Sequence, residues 1–252
     1  MYEAELSFAN ELADEAAEIG LRYFRGEFRV ELKPDRTPVT EADLAIEGMI
    51  RERVAERFPD DAILGEEQGL AGDADRVWII DPIDGTKNFA AGIQIWGTLI
   101  ALAVDGDPVV GVAGAPALGE RYAAAAGGGA TWNGEPIHVS DVGRLSDAFV
   151  LFGDVSWKRD AALERPFGEL ARRAKRTRAF GDFWGHMFVA RGAADVMLEP
   201  ELRTWDTAAL RVILEEAGGR MTAMDGGPVV DHGSALSTNG PVHDEVVTVL
   251  AG

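Results

Sequence analysis

Residues 78–89 read Trp-Ile-Ile-Asp-Pro-Ile-Asp-Gly-Thr-Lys-Asn-Phe, and this segment decides the fold and the chemistry of the chain. Its apolar start predicts a buried strand that delivers Asp81 at its carboxyl end. Pro82 lacks an N–H group, so we expect the strand to stop there. Asp84 follows three residues after Asp81, and the two carboxylates can converge around the turn with the Ile83 carbonyl. Oxygen ligands of this kind suit hard divalent cations.

The next two residues, Gly85 and Thr86, are of types that can bind an anion. Gly85 lets the backbone approach an anion closely, and the N–H groups that follow it can form a nest for phosphate. The Thr86 hydroxyl can orient a water molecule. The segment therefore predicts a cation and a phosphate bound side by side.

Further acids occupy similar places in other segments. Glu66 follows the apolar run 62–65, and Asp206 begins an Ala/Leu-rich helix, where an acid also serves as an ordinary N-terminal residue. Thr40 can cap another helix, with Asp43 at the capping-box position. Several carboxylates in one pocket raise one another's pKa, so their gathering argues for cation binding.

Hydrophobic periodicity predicts the helices and strands of the chain. The pattern of elements divides the chain into an α+β half (1–142) and an α/β half (143–252), which we expect to pack together as one unit. We expect a loop over 33–38. The predicted helices cover 4–24, the segment from Thr40 to Pro59, 160–174, 183–191, 205–217 and 242–250. The predicted strands cover 62–65, 77–80, 95–104, 109–113, 121–126, 135–139, 149–152, 177–180, 195–198 and 220–223.

Composition excludes several classes of function. The chain of 252 residues has 43 acidic and 24 basic residues and a net charge of −19, which argues against nucleic acid or an anionic membrane as partner. A small anionic substrate remains compatible where a bound cation reverses the local field. The absence of cysteine excludes disulfides, thiolate zinc sites and cysteine nucleophiles.

Targeting signals are not expected. The acidic N-terminus does not resemble a signal peptide, and the longest apolar stretch, 95–104, is far shorter than the roughly 20 residues that span a bilayer. We expect a cytoplasmic protein.

The spacing of the acids separates two phosphatase chemistries. Haloacid-dehalogenase-type phosphatases use Asp-x-Asp-x-Thr near the N-terminus, with the first Asp as nucleophile. Here Asp81 and Asp84 are separated by two residues in mid-chain. The spacing therefore disfavours an aspartyl-phosphate mechanism.

Four segments closely resemble the inositol monophosphatase superfamily: 39–43, 65–67, 81–89 and 205–209. The resemblance covers nearly the whole chain. It implies a layered αβαβα sandwich of the inositol monophosphatase and fructose-1,6-bisphosphatase type. It also implies a Mg²⁺-dependent, lithium-sensitive phosphomonoesterase that acts as a homodimer on a small phosphorylated metabolite.

The resemblance also implies roles for individual residues. The first Mg²⁺ would be held by Glu66, Asp81 and the Ile83 carbonyl, the second by Asp81, Asp84 and Asp206, and a weaker third ion would lie near Asp43. Glu66 and Thr86 would activate a water, the backbone amides of Gly85 and Thr86 would hold the phosphate, and Glu199 matches a substrate-contacting position. Such an arrangement suits phosphomonoester hydrolysis, because two metals about 4 Å apart neutralise the attacking and leaving oxygens.

Residues 178–186 depart from the inositol phosphatases and resemble the histidinol-phosphatase branch. Asp182, Phe183 and Trp184 stand where small residues usually follow the glycine. Histidinol phosphate carries an ammonium group and an imidazole, which acidic and aromatic side chains can bind. The predicted substrate contacts are Asp182, Phe183, Trp184, Arg178, Glu199 and Asp206, with Trp96 as a further stacking surface. Alternatively, Phe183 and Trp184 begin helix 183–191 and fill the core.

The leading hypothesis is a histidinol-phosphate phosphatase of histidine biosynthesis. An inositol-1-phosphate phosphatase of broad specificity is the alternative, and a sugar-bisphosphate or adenosine-bisphosphate phosphatase comes third. A hypothesis of another class is a regulatory protein that binds metal or phosphate without catalysis.

Overall fold

Two β-sheets alternate with three pairs of helices in a chain whose computed structural model describes residues 2–24, 26, 30–32, 38–153 and 161–252. From one outer face to the other, the layers are a helix pair, a large sheet, a helix pair, a small sheet and a helix pair. This is the αβαβα sandwich that the resemblance implies, so the predicted fold class is confirmed.

The first half of the chain supplies one outer helix pair and the large sheet. The helices are α1 (Glu3–Tyr23) and α2 (Glu41–Arg57), and a two-stranded ribbon of β1 (Val30–Leu32) and β2 (Pro38–Thr40) precedes α2. The eight strands lie in the order β10 (Glu135–Ile137), β9 (Ala130–Trp132), β8 (Glu120–Ala125), β7 (Asp107–Ala115), β6 (Gly97–Val104), β5 (Arg76–Asp84), β3 (Ala62–Gly65) and β4 (Gly69–Ala71). The short helix α3 (Thr86–Ala90) follows β5.

The second half supplies the small sheet and the other two helix pairs. The five strands lie in the order β12 (Arg176–Ala179), β11 (Phe149–Phe152), β13 (Val196–Leu202), β15 (Gly233–Thr238) and β14 (Arg220–Thr222). The middle helices are α5 (Phe183–Ala190) and α6 (Thr204–Glu216), and the outer ones are α4 (Ala161–Arg173) and α7 (His243–Ala251). Strand β11 pairs in parallel with β12 and β13, whereas β15 is antiparallel to both of its neighbours.

Both faces of the large sheet are covered, and the middle segments of its central strands are correspondingly apolar. In β5, Trp78 and Ile80 pack towards α1 and α2, whereas Ile79 packs towards α5 and α6. The alternation follows from the two-residue period of a strand. Because helix α6 belongs to the second half but contacts strands β5 to β8, the site can draw side chains from both halves.

A bulge in β5 sets the direction of two carboxylates. Asp81 lies opposite Leu99 of β6 and Asp84 lies opposite Gly97, so three steps along β5 correspond to two along β6. Residues three apart in a regular strand face opposite sides, and the extra residue of a bulge reverses that relation. The expected end of the strand at Pro82 is therefore wrong, since pairing resumes at Asp84.

Most predicted elements are present, with ends shifted by a few residues. The capping box at the start of α2 is confirmed, because Thr40 N–H donates to Asp43 and the Thr40 hydroxyl accepts from the Asp43 N–H. Strands β1, β2, β4, β9 and β15 and the short helix α3 were not predicted. Of the expected loop 33–38, residue 38 instead begins strand β2, and residues 33–37 lie outside the described residues, as does residue 160 of helix 160–174.

A membrane-spanning helix is not found in the described part of the chain. None of its helices combines the required length with sufficient apolar character.

Candidate metal centre and substrate site

Three carboxylates from two strand–helix junctions meet between the two halves of the chain. Asp81 and Asp84 come from the bulged end of β5, and Asp206 comes from the first turn of α6. One oxygen of each lies within 4.8 Å of the others. Asp206 also accepts a hydrogen bond from the Arg203 N–H (2.7 Å), so it caps the helix with one oxygen and leaves the other for the cluster.

Without a bound metal, the negative charges of these buried carboxylates repel one another. Burial and then the charges of neighbouring acids raise the pKa of Asp81 and of Asp84 well above the ordinary range. Burial likewise raises the pKa of Asp206. Buried carboxylates with such neighbours are stabilised in their charged form when a cation lies between them.

The donor set fits a hard divalent cation. Asp81 Oδ1 is buried and has no hydrogen-bond partner among the described residues, and the same holds for Asp43 Oδ1. A buried polar oxygen without a partner is costly unless something else satisfies it. All the converging ligands are oxygens, which is the chemistry that Mg²⁺ prefers.

Asp43 lies beside this cluster at the start of α2. Its other oxygen is held by the Thr40 N–H (2.8 Å), and its side chain is fully buried. Burial raises the pKa of Asp43 to about 6, and the charge of Glu66 adds to the rise. The third metal position near Asp43 stays a prediction.

Glu66 follows β3 and lies outside the group of three, although its charge also raises the pKa of Asp81 and of Asp206. The turn that carries Glu66 is fixed by Glu47 of α2, a residue not identified from the sequence. The fully buried carboxylate of Glu47 accepts from the N–H groups of Glu67 (2.7 Å) and Gln68 (3.0 Å).

Glu47 is itself paired with Arg51 one turn along α2 (2.8 Å), and Arg51 donates to the Gly69 carbonyl (2.5 Å). Any side chain at Gly65 would overlap the Glu47 carboxylate. A sequence signal exists, because Glu47 is an acid four residues after Asp43 on one helix face, but the spacing does not reveal the backbone amides it binds.

We expect Glu47→Gln to lower the free energy of unfolding by about 3 kcal/mol, because it leaves the Arg51 charge unpaired and turns an amide N–H towards backbone donors. Urea denaturation measures this loss. Glu15→Gln is the matched control, since its pair with Arg53 is exposed (3.0 Å) and is worth less than about 1 kcal/mol. Equal losses in the two variants would contradict the role of Glu47.

The predicted phosphate-binding residues begin helix α3. Gly85 has φ 81°, a left-handed conformation that glycine adopts without strain. The Thr86 hydroxyl donates to the Ile83 carbonyl (2.9 Å), so the residue predicted to activate water directly contacts a predicted metal ligand. The side chain of Ile83 is buried, which leaves its carbonyl as the group that can act at the site.

A loop of the second half docks on this segment. Asn88 donates to the Asp182 carboxylate (2.8 Å) and to the Ile95 carbonyl (2.9 Å), and the Phe183 N–H donates to Asp84 (2.6 Å). Asp182 has φ 56° and ψ −159°, a conformation that side chains other than glycine rarely adopt. Asn88 was not identified from the sequence, because its partner lies 94 residues further along the chain.

The aromatic residues expected to stack on substrate mostly fill the core. Phe183 is 1% exposed and belongs to the middle layer, so only its backbone N–H faces the cluster. Trp96 is fully buried against Phe89 (ring centroids 4.9 Å apart), and the interpretation of Trp96 as a stacking surface is wrong. Trp184 is half-buried and donates its indole N–H to Glu120 (2.9 Å).

The two remaining predicted substrate residues lie at different depths. Arg178 is exposed on the edge strand β12, and its guanidinium donates to the Thr177 carbonyl (2.8 Å). Glu199 of β13 is largely buried, and its charge raises the pKa of Asp84 and of Asp206. The charge of Glu199 thus acts on the carboxylate cluster, whereas the guanidinium of Arg178 binds the backbone of its own strand.

Comparisons of the sequence with a family model and with known proteins agree with one another. A sequence model described as the inositol monophosphatase family matches residues 1–250. The histidinol-phosphatase of Streptomyces coelicolor is 45% identical over 99% of this chain and 97% of that protein. The histidinol-phosphatase of Mycobacterium tuberculosis is 45% identical over 98% of this chain and 97% of that protein.

A solved structure agrees with these relatives. The inositol monophosphatase from Anabaena is 34% identical and superposes with a TM-score of 0.87 over 99% of this chain and 96% of that chain. The family match spans nearly every residue, and the fold and the acidic segments agree with it. The chain belongs to the inositol monophosphatase family.

Proposed function

We propose that the chain is a Mg²⁺-dependent phosphomonoesterase that hydrolyses L-histidinol phosphate to L-histidinol and phosphate. The observation that carries the chemistry is the group of three carboxylates within 4.8 Å, with a buried Asp81 oxygen that lacks a protein partner among the described residues. The substrate is supported by 45% identity to two histidinol-phosphatases over nearly the full length, against 37% identity to an inositol-1-monophosphatase over 84% of this chain.

Two Mg²⁺ ions would be held by the sets predicted above, with a weaker third near Asp43. When bound, they supply charge neutralisation on the phosphoryl oxygens and acidify a water. Glu66 and Thr86 would orient and activate that water. The Gly85 and Thr86 N–H groups bind the phosphate oxygens and keep the ester in line for attack.

The acids beside the cluster favour a cationic leaving group. Asp182 is held by Asn88, and the charges of Asp182 and Glu199 both raise the pKa of Asp84. An ammonium or a protonated imidazole bound near these groups offsets their repulsion, whereas the neutral hydroxyls of inositol do not. Asp206 and Glu199 would complete the contacts to the leaving group, and Arg178 stays a predicted contact from the exposed edge.

A substrate panel tests the proposal. Phosphate release is measured with histidinol phosphate, inositol 1-phosphate, fructose 1,6-bisphosphate and 3′-phosphoadenosine 5′-phosphate, each with and without Mg²⁺. We expect the highest kcat/KM with histidinol phosphate and no release without Mg²⁺. A preference for inositol 1-phosphate would replace the substrate assignment with the inositol-phosphatase alternative.

We expect Asp182→Ala to lower kcat/KM for histidinol phosphate about tenfold or more, and that for a neutral aryl phosphate far less, because only histidinol phosphate carries a cation for Asp182 to attract. Asp182→Asn is the matched control. It keeps an acceptor for Asn88 and removes only the charge, so it separates the loss of charge from the loss of this hydrogen bond. Steady-state kinetics with both esters measure the effect. Equal losses for the two esters would remove the cation-recognition argument.

The proposal includes a cytoplasmic homodimer and inhibition by lithium, both of which rest on the family resemblance. Light scattering during size-exclusion chromatography tests the first property. We expect a mass near twice 27.0 kDa. A monomer at micromolar concentration would contradict the dimer.

A further inference from the structure

A fully buried histidine in α5 connects the small sheet to the edge of the site. His186 Nδ1 lies 2.7 Å from Ser237 Oγ of β15, and its Nε2 lies 3.1 Å from Glu199 Oε2 of β13. The side chains of His186 and Ser237 are inaccessible to solvent, and that of Glu199 is 13% exposed. The three groups therefore form a line that runs from the core to the site.

The chemistry of the partners fixes the direction of these hydrogen bonds. A carboxylate only accepts, so the proton of the imidazole lies on Nε2 and is donated to Glu199. In the neutral ring Nδ1 then accepts, and the Ser237 hydroxyl donates to it. With these two hydrogen bonds on opposite sides, the ring is held in one orientation.

Glu199 is also confined from its other side. A methyl group at Gly153, the residue that follows β11, would overlap Glu199 Oε1 and the carbons of the same side chain. One oxygen is thus held by His186, and the other is packed against the backbone of Gly153. The carboxylate has little freedom to turn away from Asp84 and Asp206, whose pKa values its charge raises.

Packing alone does not explain a histidine at this position. Its neighbours in α5 include the apolar residues Met187, Phe188 and Val189, and an apolar ring would fill the same space without needing two polar partners. A buried polar group costs free energy unless it is fully hydrogen-bonded, and here one of its partners is a charge at the site.

We propose that His186 is a specificity-determining positioning residue, which fixes the Glu199 carboxylate so that it binds the cationic group of the substrate. The inference rests on the proposed function. It predicts that His186 affects the choice between substrates rather than the hydrolysis of phosphate esters in general.

The test measures a selectivity ratio, kcat/KM for histidinol phosphate divided by kcat/KM for inositol 1-phosphate, in Mg²⁺-loaded full-length protein. We expect His186→Phe to lower this ratio about tenfold, through a higher KM for histidinol phosphate. His186→Gln keeps an N–H donor near the position of Nε2, and we expect it to retain the ratio within about threefold. The double variant of His186→Phe with Glu199→Gln should lose no more selectivity than Glu199→Gln alone.

His243 offers a matched control, because it is also buried and lies between two hydroxyl groups, those of Thr222 (3.3 Å) and Thr238 (3.0 Å). We expect His243→Phe to lower the melting temperature and to leave the selectivity ratio at the wild-type value. Ser237→Ala gives a milder change at His186 if His186→Phe fails to fold. Its ratio should fall about threefold, because the imidazole loses the hydrogen bond that holds its Nδ1 side in place.

Two outcomes distinguish the inference from the proposed function. A wild-type protein without preference for histidinol phosphate would overturn both. A wild-type preference that His186→Phe or Ser237→Ala retains in full, or equal losses for the two esters, would overturn the positioning role alone and leave the proposed function standing.

Discussion

Asp84→Asn is expected to lower the rate of phosphate release from histidinol phosphate by at least about 1,000-fold. The substitution removes one charge from the three carboxylates that would hold the second metal, and a phosphoryl transfer without that charge neutralisation loses several kcal/mol of transition-state stabilisation. The fold should persist, because the asparagine carbonyl can still accept from the Phe183 N–H. Phosphate release at saturating Mg²⁺ measures the loss.

Asp73→Asn is the matched control, since it makes the same change at an exposed position and should keep full activity. More than a tenth of wild-type activity in Asp84→Asn would remove the cluster from the mechanism. The same variant tests the regulatory hypothesis. If Asp84→Asn releases no phosphate but still performs the biological role of the chain in cells, catalysis is not the function of the chain.

Removal of divalent cations is expected to reduce activity to below about 1%, and added Mg²⁺ should restore it. It should also lower the melting temperature, because Mg²⁺ at 100 times its dissociation constant stabilises the folded protein by about 2.7 kcal/mol. In the metal-free state Asp84→Asn should melt higher than wild type, since it relieves the repulsion among buried carboxylates.

Calorimetry of four samples checks this reversal: wild type and Asp84→Asn, each with chelator and with excess Mg²⁺. Mg²⁺ should raise the melting temperature of the wild type by several degrees and that of Asp84→Asn far less. Full activity after exhaustive chelation would contradict metal dependence. A metal-free Asp84→Asn that melts below metal-free wild type would show that the carboxylates do not strain the fold.

Local patterns were sufficient to predict the layers. Helical spacing identified α1 and α2, and apolar runs identified β3, β5 and β6, because both faces of the large sheet are buried and its central strand segments are therefore apolar. Strand β15 escaped prediction. It reads Gly-Ser-Ala-Leu-Ser-Thr, a composition that does not favour a strand. Its pairing with β13 and β14 stabilises the strand instead.

The bulge in β5 was predicted only in part. The sequence predicts that Asp81 and Asp84 converge, and the carboxylates do so. The physical route differs, because Pro82 does not end the strand and an extra residue reverses the side that Asp84 faces. The partner strand β6 decides this register, and no local pattern around Asp81 reports it.

By itself, the sequence determined the fold class, the family and the acids of the cluster, because these are carried by residues adjacent in the chain and by short-range periodicity. The tertiary structure alone decided which groups hold those acids in place. Glu47 binds the turn after Glu66, Asn88 holds Asp182, and Ser237 and His186 hold Glu199. These hydrogen bonds join elements that are distant along the chain, and their directions depend on how the layers pack, which residue order does not reveal.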